Sequence, residues 1–375
     1  MSLTKKQLDY ALHLYNEVTN NKSEVARMVK KELGLTQSLN AIRMVLGKRL
    51  RKLESRGLLD ECQEVGIPAD KVNHYWYKGK NYSIHVKGED VVSYEEIRDE
   101  LVASMKEHAP EYPTIARNDV KEGHLLVVDP ADVHIGKLAT SFETGEDYNS
   151  QIAVQRVREG VTGILSKTEG FNIDKILFVG GNDILHIDTP DRKTTKGTSM
   201  DTDKMWYENF LIAKKIYIEV LEMLMRVADV HFMFNPSNHD YTNGFFLADT
   251  ISSWFSKCPH ITFDVSIASR KYFSYGQNLI GTTHGDTAKG ANLPLLMAQE
   301  AKKAWAETKH RYVYTHHVHH KSSKDYIGIT VESLRSPSGA DSWHHRKGFQ
   351  HNPKGIEGFL HHKKFGQVAR LTHLF

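Results

Sequence analysis

Cysteine is almost absent from this chain: Cys62 and Cys258 are the only two among 375 residues, and they stand far apart and alone. That excludes a disulfide framework and a thiolate zinc site, and leaves both as plain buried residues. Long apolar runs are missing too. Nothing approaches the length of a membrane span, and the amino-terminal MSLTKKQLDYALHLY lacks the apolar stretch of a signal peptide. The expectation is a cytoplasmic protein with no membrane partner. No internal repeat, low-complexity tract or phosphate-binding P-loop occurs, so any ATP-driven motor would be another chain. An apolar content of 40% and a charged content of 25% are those of an ordinary globular protein. The length suits one large domain with a smaller appendage.

What is present is unevenly placed. The net charge is only +3, yet residues 1–60 carry twelve Lys or Arg against six acids. Apolar residues Leu8, Ala11, Leu12, Tyr15 and Val18 fall at helical spacing in residues 4–19, and Val25, Met28, Val29 and Leu33 repeat the pattern before Gly34. Ser38 is placed to cap a third helix that turns Ile42, Val45, Leu46, Leu50 and Leu53 inward and leaves Arg43, Lys48, Arg49, Arg51, Lys52 and Arg56 outside. Two β-prone runs in HYWYKGKNYSIHV, residues 74–86, flank a Gly79–Lys80 turn. Three helices and a basic hairpin resemble a winged helix-turn-helix. A cationic helix face neutralises nucleic-acid phosphates and releases counterions, so Arg43, Lys48, Arg49 and Lys52 are the candidate DNA contacts. A solvated charged face is the plainer alternative. Residues 1–90 form this first domain, 91–120 a linker containing Pro110 and Pro113, and 121–375 the second domain.

The second region alternates short apolar runs with helical segments, as an α/β domain does. HLLVVDPADVHIG (124–136), DKILFVGGNDILH (174–186), DVHFMFNPSNHDY (229–241), QNLIGTTHGD (277–286) and RYVYTHHVHH (311–320) are each a β-run ending in His, Asp or Asn. Helices are expected at 149–168, 203–228 and 291–308, the second with Trp206, Phe210, Leu211, Ile216, Tyr217, Leu221, Leu224 and Met225 in the core. Ligands of α/β sheets gather beyond the carboxyl ends of strands. The run ends therefore point Asp132, His134, Asp183, Asn238, His239, His284, His317 and His319 at one place. In an extended chain, residues at i and i+2 share a side, which favours Asp132 with His134 and His317 with His319, and turns His316 and His320 the other way. The looser pair His316 and His320 stays open at this point. Carboxylate, amide and imidazole donors without thiolates suit Mn, Fe or Zn, and so many of them exceed what one ion needs. Two ions sharing a carboxylate account for the number, and that arrangement serves displacement at phosphorus.

In order, Asp132-Val-His134, Gly181-Asn-Asp183, Ser237-Asn-His239-Asp240, His284-Gly285 and His317-Val-His319 resemble the motifs of the calcineurin-like metallophosphoesterases, over residues 121–335. The resemblance implies a two-sheet β-sandwich flanked by helices in αββα layers. It implies two divalent ions, with Mn first and Fe, Zn, Ni or Mg as alternatives. By the same resemblance Asp132, His134, Asp183 and His319 hold one ion; Asp183, Asn238, His284 and His317 hold the other; Asp183 bridges; and a metal-bridging hydroxide attacks. His239 would then serve the leaving oxygen. The chain departs from the family in Asn182 inserted before Asp183, in Ser237 for glycine and in His316 for glycine. His186, three residues after Asp183, is similar to the histidine that the Mre11/SbcD nuclease branch places there to orient or share protons with the histidine at 239. The resulting expectation is a phosphodiesterase acting on DNA as a nuclease. The alternatives are a phosphatase or small-nucleotide phosphodiesterase with the basic domain used for targeting, and a DNA-binding protein with an inert cluster. A homodimer and a separate ATPase partner stay open. Residues 187–203 read as a long loop without structure of its own, either substrate-contacting through Arg192, Lys193 and Lys196 or a solvated insertion. In 342–349, His344, His345, Arg346 and Lys347 read as surface or phosphate-contacting groups.

Overall fold

The structure, a computed structural model, describes residues 3–19, 21–54, 74–78, 83–87, 109–117 and 122–375, with the side chains of 5, 16, 49, 51–54, 74–78 and 83–87 outside the description. It divides into two compact units, Met1–Ile97 and Arg98–Phe375.

The first unit contains helices α1 (Lys5–Glu17), α2 (Lys22–Glu32) and α3 (Leu39–Glu54). Their limits have local causes. Thr4 and Gln7 form a reciprocal capping box, the Asn21 side chain accepts the N–H groups of Ser23 and Glu24, and Ser38 Oγ accepts the Ala41 N–H at 3.2 Å. Gly34, at φ +58°, ends α2 in the left-handed conformation that glycine adopts without a Cβ penalty. Ala11, Leu14, Val25, Val29, Ile42 and Leu46 form the core. Val18 and Leu33, expected inside, are 58% and 40% exposed. Each is the C-cap residue of its helix, where no further turn remains to cover it. Strands β1 (His74–Lys78) and β2 (Ser83–Lys87) pair antiparallel from His74 opposite Lys87 to Lys78 opposite Ser83. The proposed turn at 79–80, the side chains of Arg49, Lys52 and Leu53, and Cys62 lie outside the described residues.

The second unit holds two sheets. In the larger, β3 (His124–Asp129), β4 (Ile173–Gly181), β5 (Asp229–Asn235) and β6 (Ile261–Asp264) run parallel, β12 (Gly355–His362) adds antiparallel to β3, and β13 (Gly366–Leu374) adds antiparallel to β12. The smaller has the order β10 (Ser322–Tyr326), β11 (Ile329–Ser333), β9 (His310–Thr315), β8 (Asn278–Thr283), β7 (Arg270–Tyr275). Alternation along β3 shows the layering. Leu125 and Val127 face the core between the sheets with Leu177, Ile280, Tyr314 and Phe359. Leu126 and Val128 face the opposite core, formed with helices Ser150–Ser166, Trp206–Met225 and Tyr241–Trp254. On the outer side of the smaller sheet, Leu279, Val313 and Val331 pack with Leu293 and Met297. The architecture is a two-sheet sandwich flanked by helices, in αββα order.

Several local expectations change. Trp206 and Leu211 are 36% and 53% exposed, because they lie on the outer face of an amphipathic helix whose inner face carries Ile216, Tyr217, Val220 and Leu224. The helix expected over 291–308 is interrupted at Ala301, between Leu293–Glu300 and Lys302–Glu307. Residues 187–203 have structure of their own: Lys193 and Ser199 form a bridge, and the Thr194 N–H donates to the Thr198 carbonyl at 2.9 Å. Within the segment read as a linker, Tyr112 donates to Glu222 at 2.7 Å and the Ile115 N–H donates to His260 at 2.8 Å. Among the described residues no helix is long and apolar enough to cross a membrane.

Candidate metal centre

Strands β3, β4, β5, β8 and β9 end at Asp129, Gly181, Asn235, Thr283 and Thr315, and the candidate donors follow these ends by one to five residues. They are not on extended chain. Asp132, His134, Asp183, His317 and His319 have φ between +52° and +73°, and neighbouring Asn182 has φ +51°. Side chains at i and i+2 therefore do not share a side as they would in a strand. Left-handed backbone costs about 1–3 kcal/mol per non-glycine residue and concentrates at functional sites, where the surroundings over-determine it. Backbone bonds between the loops supply that determination: the N–H groups of Asp132 and His134 donate to the carbonyls of Asn182 and Asp183 at 2.8 and 2.9 Å.

Three clusters of donor atoms result: His134 with His186 and His239, and two that hold carboxylates. Asp132, His134 and His319 offer one atom each to a common point, as do Asp183, His284 and His317. In the first, His134 Nε2 and His319 Nε2 are 3.2 Å apart, and His319 Nε2 is 3.6 Å from Asp132 Oδ1. In the second, His284 Nε2 is 3.2 Å from Asp183 Oδ2 and 2.9 Å from Asn238 Oδ1. Asp183 Oδ2 also lies 3.9 Å from His134 Nε2, so one carboxylate faces both groups.

Burial sets the charges. It holds His134 and His319 well below the ordinary histidine range, hence neutral, with imidazole nitrogens converging on one another. Burial would lower His284 as well, but the Asp183 carboxylate reverses this and lifts it to about 9. Burial, helped by repulsion from Asp183, raises Asp132 to about 7, while His284 and His239 hold Asp183 low. A cation between the groups would relieve each of these conflicts. His284 directs Nε2 into the cluster, and its Nδ1, on the other side of the ring, is buried without a hydrogen-bond partner. Oxygen and imidazole donors of this kind fit a borderline divalent ion.

The neighbouring residues explain the departures from the family motifs. Ser237 Oγ accepts the Asp183 N–H at 2.7 Å and donates to Asp240 at 2.6 Å, tying two donor loops together. Asn182 is buried in the left-handed region, which asparagine tolerates better than most residues. His316 is not a donor to either group. Its ring is fully buried between Asp129 Oδ2 and the Thr283 carbonyl, each at 3.0 Å. His320 is exposed; its Nδ1 donates to the Val318 carbonyl at 2.9 Å and its own carbonyl accepts from Ser333 Oγ at 2.6 Å. The four histidines of the run thus have three different placements.

His239 lies beside the first group, its ring 4.6 Å from that of His134. Its N–H donates to Asp183 Oδ1 at 3.0 Å, and its Nδ1–H donates to the His186 carbonyl at 2.9 Å. A carbonyl only accepts, so the neutral ring keeps its lone pair on Nε2. His186 stacks on His239 at 5.3 Å, but its own Nδ1 reaches His134 Nδ1 at 3.3 Å. It therefore touches His239 by its carbonyl and ring face rather than through a shared ring proton. Asp188 receives the Thr242 and Asn243 N–H groups at the start of the helix after His239, which anchors the 187–203 loop to that turn. In the first unit, Lys48 is exposed and Arg43 partly buried. Arg192 and Lys196 are exposed.

Sequence reasoning missed a second tier. Lys137, 1% exposed, donates to Asp341 at 3.1 Å and to Ser338 at 3.1 Å; Asp341 holds His344 Nδ1 at 2.7 Å; and the His344 ring stacks on His319. No spacing rule relates positions more than two hundred residues apart.

No protein-family model matches the chain, and no curated protein matches it. Solved structures do align. They include zinc-complexed Vps29 of Entamoeba histolytica, 13% identical with a TM-score of 0.30 over 67% of this chain and 98% of that one. An archaeal phosphodiesterase is 8% identical with a TM-score of 0.32 over 67% and 99%. Vacuolar protein sorting 29 of Cryptosporidium parvum is 12% identical with a TM-score of 0.31, aligned over 68% of this chain and 98% of its own.

Proposed function

We propose that this chain is a two-metal phosphodiesterase of the calcineurin-like metallophosphoesterase type, with DNA as substrate. The observation that carries the reading is Asp183 facing both donor groups, with Oδ2 at 3.2 Å from His284 and 3.9 Å from His134. Asp132, His134, Asp183 and His319 would hold one divalent ion, and Asp183, Asn238, His284 and His317 the other. When bound, such ions neutralise charge on the phosphoryl oxygens and lower the pKa of bound water.

The chain's own contribution is positioning and proton handling. His239, fixed at its N–H and Nδ1, presents Nε2 to the phosphate and the leaving oxygen; it would donate from Nε2 as the imidazolium, returning to the neutral Nδ1–H ring as the proton passes to the leaving oxygen. The His186 carbonyl and ring hold it in that orientation. Residues 1–60, with twelve Lys or Arg against six acids, supply attraction to a phosphate backbone.

Release of label from linear double-stranded DNA tests the reading, using metal-stripped protein with and without Mn²⁺, beside His239→Ala and a phosphate monoester. The expected result is cleavage that requires Mn²⁺ and falls by about 10²–10⁴-fold in His239→Ala. Monoester turnover with DNA left intact would move the function to a phosphatase. Full activity in His239→Ala would overturn its assignment.

A further inference from the structure

Residues 341–349 are not donors to either group, yet they are built against one. His344 stacks on His319 with ring centroids 5.1 Å apart and an interplanar angle of 17°. Trp343 meets His344 edge to face at 5.1 Å, and Phe349 lies 5.8 Å from Trp343. Four rings thus run from a metal-donor histidine outward to solvent. At the outer end Trp343 is 57% and Phe349 53% exposed. Indole and phenyl surface left in water forgoes the burial that drives folding, so its exposure beside an active centre calls for an occupant.

The support beneath these rings is rigid. Asp341 accepts the His344 N–H at 3.0 Å as the cap of helix Ser342–Lys347, and its second oxygen takes the buried Lys137 ammonium. A buried ammonium is stable only when paired, which ties the segment to the loop after His134. Arg346 and Lys347 are exposed on the same helix. Exposed ring faces interleaved with cations match an unpaired strand: every base has a π-face, and each phosphate seeks a cation. A duplex keeps its base faces stacked inside and has none to offer such rings.

We infer that the Trp343–Phe349 edge is a base-stacking platform for an unpaired nucleic-acid strand whose backbone passes through the metal centre. This deepens the phosphodiesterase reading and rests on it for its purpose. The stacking itself is measurable without catalysis.

The test uses the full chain in EDTA and fluorescence polarisation of labelled twelve-nucleotide probes: oligothymidylate, oligouridylate, their abasic counterparts and a duplex. The wild type is expected to bind a base-bearing single strand about tenfold tighter than its abasic counterpart. Trp343→Ala with Phe349→Ala should abolish that difference, and Trp343→Tyr with Phe349→Tyr should keep most of it. Whichever of the two single strands shows the difference supports the platform and names the sugar. No discrimination in the wild type, full discrimination in the alanine variant, or equal dependence of duplex binding on the two rings would overturn it. Hydrolysis of bis(p-nitrophenyl) phosphate by the wild type with Mn²⁺ is measured in parallel. Its absence would remove the phosphodiesterase reading and leave the stacking result standing.

Discussion

The two donor groups use the same chemistry at different depths. Asp132 and His134 are 0% and 2% exposed, and His319 is partly covered by His344. The other group has a floor of Asp183 and His284, each 1% exposed, but its third member, His317, is open to solvent. Donors that are buried and mutually restrained lose little freedom on gripping an ion, whereas an exposed imidazole must be immobilised first. On the two-ion proposal, the difference makes one position preformed and the other completed on binding. An ion in the first group should accordingly be held more tightly and exchange more slowly.

The strongest way to break the comparison is to remove what the groups share. Asp183→Asn keeps volume but loses the carboxylate that faces both, and phosphodiester hydrolysis should fall at least about 10³-fold. Wild-type turnover in that variant would mean the two groups are independent. Next, Mn²⁺ calorimetry on His134→Ala and His317→Ala separates them. The first should weaken the tighter binding step and the second the looser one, each by more than the ~10–100-fold that outer partners of a metal ligand cost. Identical changes in both would erase the distinction in depth.

A further substitution addresses the loop the groups have in common. His316→Ala leaves the Asp129 carboxylate buried beside an empty space, where one of its oxygens already has no partner. Urea unfolding should show a loss of about 3–5 kcal/mol, against about 0.5 kcal/mol or less for exposed His320→Ala. Equal effects would show that the four histidines are interchangeable after all.

The smallest effect lies away from the centre and serves as a control. Burial pushes His361 down to about 3, where its Nε2 faces the Tyr314 hydroxyl at 2.9 Å. The unfolded chain titrates near 6.5, so below that pH it binds a proton that the folded chain refuses. Stability is therefore retained above about pH 6.5 and lost as pH falls toward 3, by up to about 1.4 kcal/mol per unit. His361→Gln should flatten that slope between pH 6.5 and 5 in urea unfolding at fixed EDTA. An unchanged slope would assign the acid sensitivity to the metal-donor histidines.

Much of this molecule is legible without coordinates. The donors Asp132, His134, Asp183, Asn238, His284, His317 and His319 each follow an apolar β-prone run, and that order of residue types is a linear property. The same holds for Ser38 and Gly34 at the ends of their helices, since capping involves residues three or four apart. Strands β10 to β13 were harder to see. Ser322–Tyr326 is almost wholly exposed, and Gly355–His362 is buried on both faces, so neither alternates as a half-buried strand does.

What composition and order determined, then, is which side chains could bind an ion and where along the chain they occur, because side-chain chemistry and short-range periodicity are local. Tertiary structure decided how they are used. The left-handed turns at the donors replaced the extended geometry that spacing implied, since the energy to hold them comes from contacts between loops. It made His316 a buried partner of Asp129 and put Lys137 beside Asp341 and His344 against His319, pairings set by sheet closure. Contacts between residues so far apart in sequence leave no periodic trace, and only the closed fold brings them within bonding distance.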